Sequence, residues 1–420
     1  MKSFELTADS KAILLLCGIF SENHTHDEIK PLTLTEYNKV VSLLVSLKLS
    51  PRDILDQDIL LDLKNELDAV VGYRRIENLA KRGGALALTI ESWFNKGLWV
   101  LTRNDKSYPP ELKKRLGNYA PPVLYGCGDR TLLKTDSLAV VGSRKVDSEG
   151  ERFTEEIGMF CANHNISIIS GGARGVDQVA MLTTLNNYGT AIGVLADSLL
   201  KSSVSSKYRN AIIDKRLLLL SPYSPEARFN IGNAMGRNKY IYALSTFALV
   251  ISAEKGEGGT WAGAKEELKR GAGVPVFVRI EGNVPPGNLE LIKMGARPFP
   301  RQPWKKSLFK DLAVSATTQK GIAEQTSMFD IHDNNKEIKE NSHSRLLESN
   351  QEAKNSGNEI FAAVLPMLLS HMRDWVTVDS LVNTLDVRKI QIQDWINRGI
   401  EIGQIEKKKR PLQYRQRIES

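Results

Sequence analysis

The sequence predicts an α/β fold: an extended Rossmann-like, doubly wound sheet with an N-terminal helical module before it and a C-terminal winged helix after it. Three observations carry that expectation. Short apolar runs alternate with helical stretches from Ser137 to Val278, and runs without period-two alternation suit strands buried on both faces. Two of these runs end in arginine-bearing glycine turns, at Gly142 and Gly171, set apart by about 30 residues, the length of one βαβ unit. Both flanks show helical spacing instead.

Residues 12–20 form the longest apolar run near the start. It is too short to span a bilayer, and it follows Asp9 and Lys11 with no small-residue cleavage site, so it reads as a core helix rather than a signal peptide. In 34–49, Val40, Val41, Leu43, Leu44 and Leu47 fall at helical spacing, residues 76–81 continue that character, and 81–84 read as a helix stop. Together these define a helical module over 1–95. A β-like segment at 98–101 leads into 105–110 and 120–128, where prolines block helix and favour extended or turn structure.

The central domain, 96–303, holds candidate strands at 138–141, 166–169, 190–195, 217–220, 248–252 and 274–278, with helices at 152–163, 177–187 and 236–244. Beyond Pro303 the composition shifts. Residues 317–357 are rich in Lys, Glu, Asn, Gln and Ser, so 304–357 reads as a flexible linker. Order resumes over 358–420. Phe361, Val364, Leu365, Leu368 and Leu369 mark one helix, Val378, Leu381, Val382 and Leu385 a second, and 387–398 a third closed by Gly399. A β segment at 400–405 completes the element set of a winged helix.

At 420 residues the chain exceeds what one hydrophobic core usually serves. Its 41% apolar and 25% charged composition is that of a globular protein, and the net charge of +8 suits a polyanionic partner. Cys17, Cys127 and Cys161 form no paired pattern, which excludes a disulfide framework or zinc site and points to a reducing cytoplasm. His24 and His26 lack a further nearby ligand and read as loop histidines, so no metal is expected. No membrane partner is expected either.

Four glycine-bearing corners carry the chemistry. In the first, Gly142 lets backbone approach a phosphate, Ser143 can donate a hydroxyl hydrogen bond, Arg144 can hold oxygens bidentately, and Lys145 adds charge. In the second, Gly171, Gly172 and Gly175 free the backbone, Arg174 supplies charge, and Asp177 can cap the following helix or orient an arginine, capping being the blander role. Arg237, Asn238 and Lys239 stand near the start of a third helix. Gly258, Gly259 and Thr260 follow the strand ending at 252 and again present N–H groups and a hydroxyl at a helix start. The set reads as a phosphate site without catalytic residues. The dinucleotide fingerprint G-x-G-x-x-G is absent, so no cofactor is expected. No aromatic row is evident; Phe229 and Tyr240 are the nearest candidates, and core packing is their expected use.

These residues resemble the DprA/Smf family of DNA-processing proteins. The resemblance runs from about residue 98 to 297 and rests on 102–110, 121–129, Val141 to Arg144, Ser170 to Asp177, and Arg237 to Lys239. It implies a Rossmann-like domain that binds single-stranded DNA without catalysis, forms a homodimer and helps load a RecA-type recombinase, often with helical and winged-helix flanks. Lys239 stands where familiar members have arginine, Phe229 is set apart from Arg237, and Gly256 to Thr260 replaces a serine-glycine-serine turn. The same resemblance allows a second role, a regulatory or antitoxin-like component beside a toxin-like partner in anti-phage defence. The 258–260 turn is also similar to nucleotide phosphoribohydrolases, which place a glutamate where this chain has Gly263; Glu266 and Glu267 lie one helical turn on. In the C-terminal region Arg388, Lys389 and Gln391 fall early in the recognition-type helix, and Lys407 to Arg410, Arg415 and Arg417 fall in or after the wing.

Overall fold

A computed structural model describes residues 6–20, 30–317, 364–385, 389–409 and 412–416. The chain divides into two compact units, 1–317 and 318–420.

The first unit opens with α1 (Ala8–Cys17), α2 (Leu34–Ser46), α3 (Gln57–Asp62), α4 (Lys64–Val70), α5 (Tyr73–Ala80) and α6 (Gly83–Asn95). The apolar run at 12–20 is indeed a core helix: Ala12 to Leu16 are buried in α1. Thr33 and Glu36 cap α2 reciprocally. Arg75 bonds Glu36 at 2.7 Å, and this hydrogen bond is the main cause that pulls the Glu36 carboxyl down to about 2. The stop expected at 81–84 separates α5 from α6, but Gly83 and Gly84 already belong to α6.

The sheet and its helices follow as β1 (Leu98–Thr102), α7 (Pro110–Leu116), β2 (Val123–Gly128), β3 (Ser137–Gly142), α8 (Ser148–Asn163), β4 (Ser167–Ser170), α9 (Val176–Asn186), β5 (Ala191–Val194), α10 (Leu199–Ser203), α11 (Ser206–Ile213), β6 (Leu217–Ser221), α12 (Ile231–Leu244), β7 (Phe247–Ser252), α13 (Gly258–Leu268), β8 (Val276–Val278), α14 (Pro286–Lys293) and β9 (Arg297–Pro298). Pro110 starts α7 rather than blocking it, because a proline at the first helical position lacks only an N–H that would go unused.

The strands lie in the order β1-β2-β6-β5-β4-β3-β7-β8-β9. All neighbours from β6 to β9 run parallel, whereas β1, β2 and β6 pair antiparallel. Alternate strand residues serve opposite faces. Leu138 and Val140 join a core with Ile157 and Ala180 from α8 and α9, while Ala139 and Val141 join another with Ile241 and Ala264 from α12 and α13. Ile13, Leu44 and Trp93 of the N-terminal helices belong to the first of these cores, so the helical segment and the sheet share one interior. Among the described residues no helix is long and apolar enough to cross a membrane.

After β9, Trp304 stacks edge-on against Phe153 at 5.2 Å, and a helix α15 over 308–317 buries Leu308 and Leu312 in the same core. The start of the expected linker is therefore packed chain: Leu308 and Leu312, four apart, give it a buried stripe. Residues 318–357 of that expected linker lie outside the described residues.

In the second unit a helix α16 over 364–370, α17 (Val378–Leu385) and α18 (Lys389–Glu401) precede a hairpin of β10 (Ile405–Lys409) and β11 (Leu412–Gln416). Leu368, Met372, Leu381, Ile392, Ile396, Ile405 and Tyr414 form its core. Gly399 does not close α18; it lies within the helix, where an added Cβ would meet Ile405 Cδ1 at 2.4 Å, and the positive-φ Gly403 follows the helix end. Lys389 and Gln391 stand in the first turn of α18. Arg388, Arg410, Arg417, His24 and His26 lie outside the described residues.

Candidate phosphate-binding cleft

The strand order reverses at β3. From there β4, β5 and β6 step one way, and β7, β8 and β9 the other. Connections diverge at such a point, which leaves a crevice beyond the carboxyl ends of the central strands. The corners after β3, β4 and β7 meet there.

Their contact depends on missing side chains. A Cβ on Gly142 would strike Val176, and one on Gly175, held at φ +81°, would lie 2.5 Å from the Ser143 carbonyl. The first two corners thus touch backbone to backbone, as their spacing predicts. Ser143 N–H bonds the Ser252 carbonyl at 2.9 Å, tying the first corner to the end of β7.

The cleft is one opening with two lobes. Gly142, Ser143, Lys145, Asn238, Gly258, Gly259 and Thr260 line one lobe; Gly171, Gly172 and Arg174 line the other; Arg144 and Arg237 border both. Arg144, Lys145 and Arg174 are exposed. Twelve of the thirteen expected residues therefore converge, and Lys239 does not. It sits on another side of α12, its Nζ 5.5 Å from the Tyr119 ring centre and 5.1 Å from that of Tyr240, and burial lowers its pKa.

Arg237 is also not a surface clamp. It is only 5% exposed, donates from Nη1 to the Val194 carbonyl at 2.9 Å, and approaches Asp177 at 3.9 Å. Gly171 makes the room: a Cβ there would lie 1.3 Å from Arg237 Nη1. Asp177 does not cap α9, whose cap residue is Gly175. Instead it accepts the Gly171 N–H at 3.2 Å and faces Arg237. Burial raises the Asp177 carboxyl and lowers the Arg237 guanidinium, each opposed by the other's charge.

The triplet lies later in its helix than expected, because α12 starts at Ile231. Asn230 caps it by accepting from the Gly232 and Asn233 N–H groups, which moves Arg237 into the second turn and away from the dipole end. Asn230→Ala should lower stability by about 1 kcal/mol in urea denaturation; no change would show the cap to be dispensable. Asn238 Nδ2 donates to the Gly259 carbonyl at 2.9 Å and binds α12 to α13.

Sequence reasoning missed Lys201, Lys207 and Asp197, which line the second lobe. The two lysines come from α10 and α11, where no glycine corner signals them. It also misplaced Phe229. That ring is 58% exposed, borders both lobes and lies 5.6 Å beneath the Arg144 guanidinium, with Ile231 and Met235 exposed beside it in the first lobe. Tyr240 is buried, as expected. Glu254 and Glu257 line the first lobe as well. Gly263 leaves space for Asn238, 3.2 Å from an added Cβ, while Glu267 is buried, accepting from the Val274 N–H and pairing with Arg270.

Residues 99–305 match the family described as DNA recombination-mediator protein A. The DNA processing protein DprA of Bacillus subtilis is 25% identical over 280 residues, covering 63% of this chain and 90% of that protein. The protein Smf of Escherichia coli is 30% identical over 205 residues, covering 47% of this chain and 53% of that protein. The solved DprA structure from Streptococcus pneumoniae shares the fold, with a TM-score of 0.52 at 20% identity over 70% of this chain and 95% of that one. With the sheet order, the glycine corners and these matches in agreement, the chain belongs to the DprA/Smf family.

Proposed function

We propose that this protein binds single-stranded DNA through its phosphates, without catalysis, as part of DNA processing and recombination. One observation carries the reading: the exposed cations Arg144, Arg174, Lys201 and Lys207 ring a single opening at the sheet's switch point. Four cations around one cleft suit a polyanion. Phe229, exposed under Arg144, offers a face to an unpaired base, which a duplex would keep stacked inside. The names of the relatives, DNA processing protein and recombination-mediator protein, point the same way. We extend the reading to a homodimer that hands its strand to a RecA-type recombinase, with the second unit as a winged helix in support. Trp375, between Arg415 at 4.8 Å and Lys408 at 5.8 Å, gives that unit a cationic hairpin face.

Fluorescence anisotropy with labelled oligo-dT tests the reading. Log affinity should fall linearly with log salt, by about 0.7 per phosphate contact. Arg144→Ala and Arg174→Ala should each weaken binding about tenfold, the size of a lost charge-assisted hydrogen bond, and flatten the slope by about one contact. Salt-independent binding, or wild-type affinity in both variants, would overturn it.

A further inference from the structure

The first lobe holds two buried donors that no described residue uses. Tyr242 lines it at 1% exposure, and its hydroxyl has no hydrogen-bond partner among the described residues. Arg237 lines it with a side chain 6% exposed, and its Nε likewise has none. A buried polar group without a partner costs stability, so two on one cleft call for a bound acceptor. The start of α13 lines the same lobe. Its first N–H groups have no intrahelical acceptor, and the Glu257 side chain at the cap position does not bond them.

We infer that this lobe is a pocket for the phosphate monoester of a nucleotide, either the phosphorylated end of a strand or a free mononucleotide. The inference rests on the single-strand reading and divides the cleft: phosphodiesters on the lobe that Arg174, Lys201 and Lys207 line, a monoester in the lobe that Tyr242 and the start of α13 line. The chemistry distinguishes the two. A phosphodiester carries one charge and a chain on both sides, so it needs an open groove. A monoester carries about −1.5 to −2 at neutral pH and three free oxygens, enough to meet the α13 N–H groups, Arg237 Nε and the Tyr242 hydroxyl together. Burial pushes the Tyr242 phenol well above its ordinary pKa, so it stays a neutral donor. Glu254 and Glu257, exposed in the same lobe, can accept from sugar hydroxyls or base amino groups.

The test is a competition against labelled oligo-dT on the full chain. The competitors are unlabelled oligo-dT with hydroxyl ends, the same strand phosphorylated at the 5′ or 3′ end, thymidine 5′-monophosphate, and thymidine. A phosphorylated strand should compete about tenfold better than the hydroxyl-ended one. In Tyr242→Phe that ratio should fall to about twofold or less, with fold stability kept, because the lost hydroxyl bonds none of the described residues. A preference seen with strands alone identifies a strand end as the ligand, and one seen with the monophosphate over thymidine identifies a free nucleotide. Equal competition in both comparisons overturns the pocket while hydroxyl-ended binding still stands. A wild-type ratio in Tyr242→Phe overturns it as well. If hydroxyl-ended DNA fails to bind, the single-strand reading falls, and the monophosphate arm, read by thermal shift, decides the pocket alone.

Discussion

Gly171→Ala should lower the unfolding free energy by about 3 kcal/mol and abolish strand binding. An added Cβ would sit 1.3 Å from Arg237 Nη1 and 2.1 Å from its Cζ, inside the guanidinium itself. The arginine can escape only by giving up its bond to the Val194 carbonyl and its approach to Asp177. That would leave a buried carboxylate uncompensated, and breaking a buried pair by removing one partner costs about 3–5 kcal/mol. The same displacement would push a side chain into the cleft between Arg144 and Arg174, which border it with Arg237. Gly271→Ala is the control. Its Cβ would meet nothing within 4 Å, so its stability should stay within about 0.5 kcal/mol of wild type. Urea denaturation with anisotropy on the same samples reads both effects, and a Gly171→Ala protein as stable as the control would refute the buried role of Arg237.

That role shows where sequence reading stopped. The runs at 138–141 and 217–220 were legible as strands because they serve two cores at once: Leu217 and Leu219 enter one, Leu218 and Leu220 the other. The glycine corners were legible because only residues without a Cβ allow Gly142 and Gly175 to meet their neighbours. What separates Arg237 from Arg144 and Arg174 was not legible. Three arginines in polar, glycine-rich stretches look alike, yet one is interior, and the space it fills is made by a glycine far away in the chain. Lys201 and Lys207 were hidden for a related reason, since the crossover from β5 to β6 carries them to the cleft. Phe229 misled in the opposite direction, because an aromatic residue is expected to seek the core. Here it stands outside, under Arg144. The N-terminal amphipathic pattern announced a buried face but not its partner, which proved to be the sheet's own core.

Arg237→Met should show a stability loss that depends on pH, and the sign follows from Asp177. Burial holds the Asp177 carboxyl above its ordinary value in the folded protein, while Arg237 pulls it back. The native state therefore binds a proton at Asp177 more readily than the unfolded chain does. For such a group stability is greatest at low pH and declines as pH rises through the folded pKa. Methionine keeps the length and bulk of the arginine stem but removes the compensating charge, so an ionised Asp177 is left alone in the interior. Near neutral pH the variant should lose about 3–5 kcal/mol, and the loss should shrink on acidification as Asp177 takes up a proton instead. Tyr223, Arg144 and Asp197 also act on Arg237, so the decisive comparison is a second variant. In Asp177→Asn/Arg237→Met the buried carboxylate is gone, and the gap to Asp177→Asn alone should be nearly flat with pH. Urea midpoints of the four proteins at neutral pH and at about pH 5 measure both gaps. If the Arg237→Met loss is as large in acid as at neutrality, the pair is not what holds the floor of the cleft together.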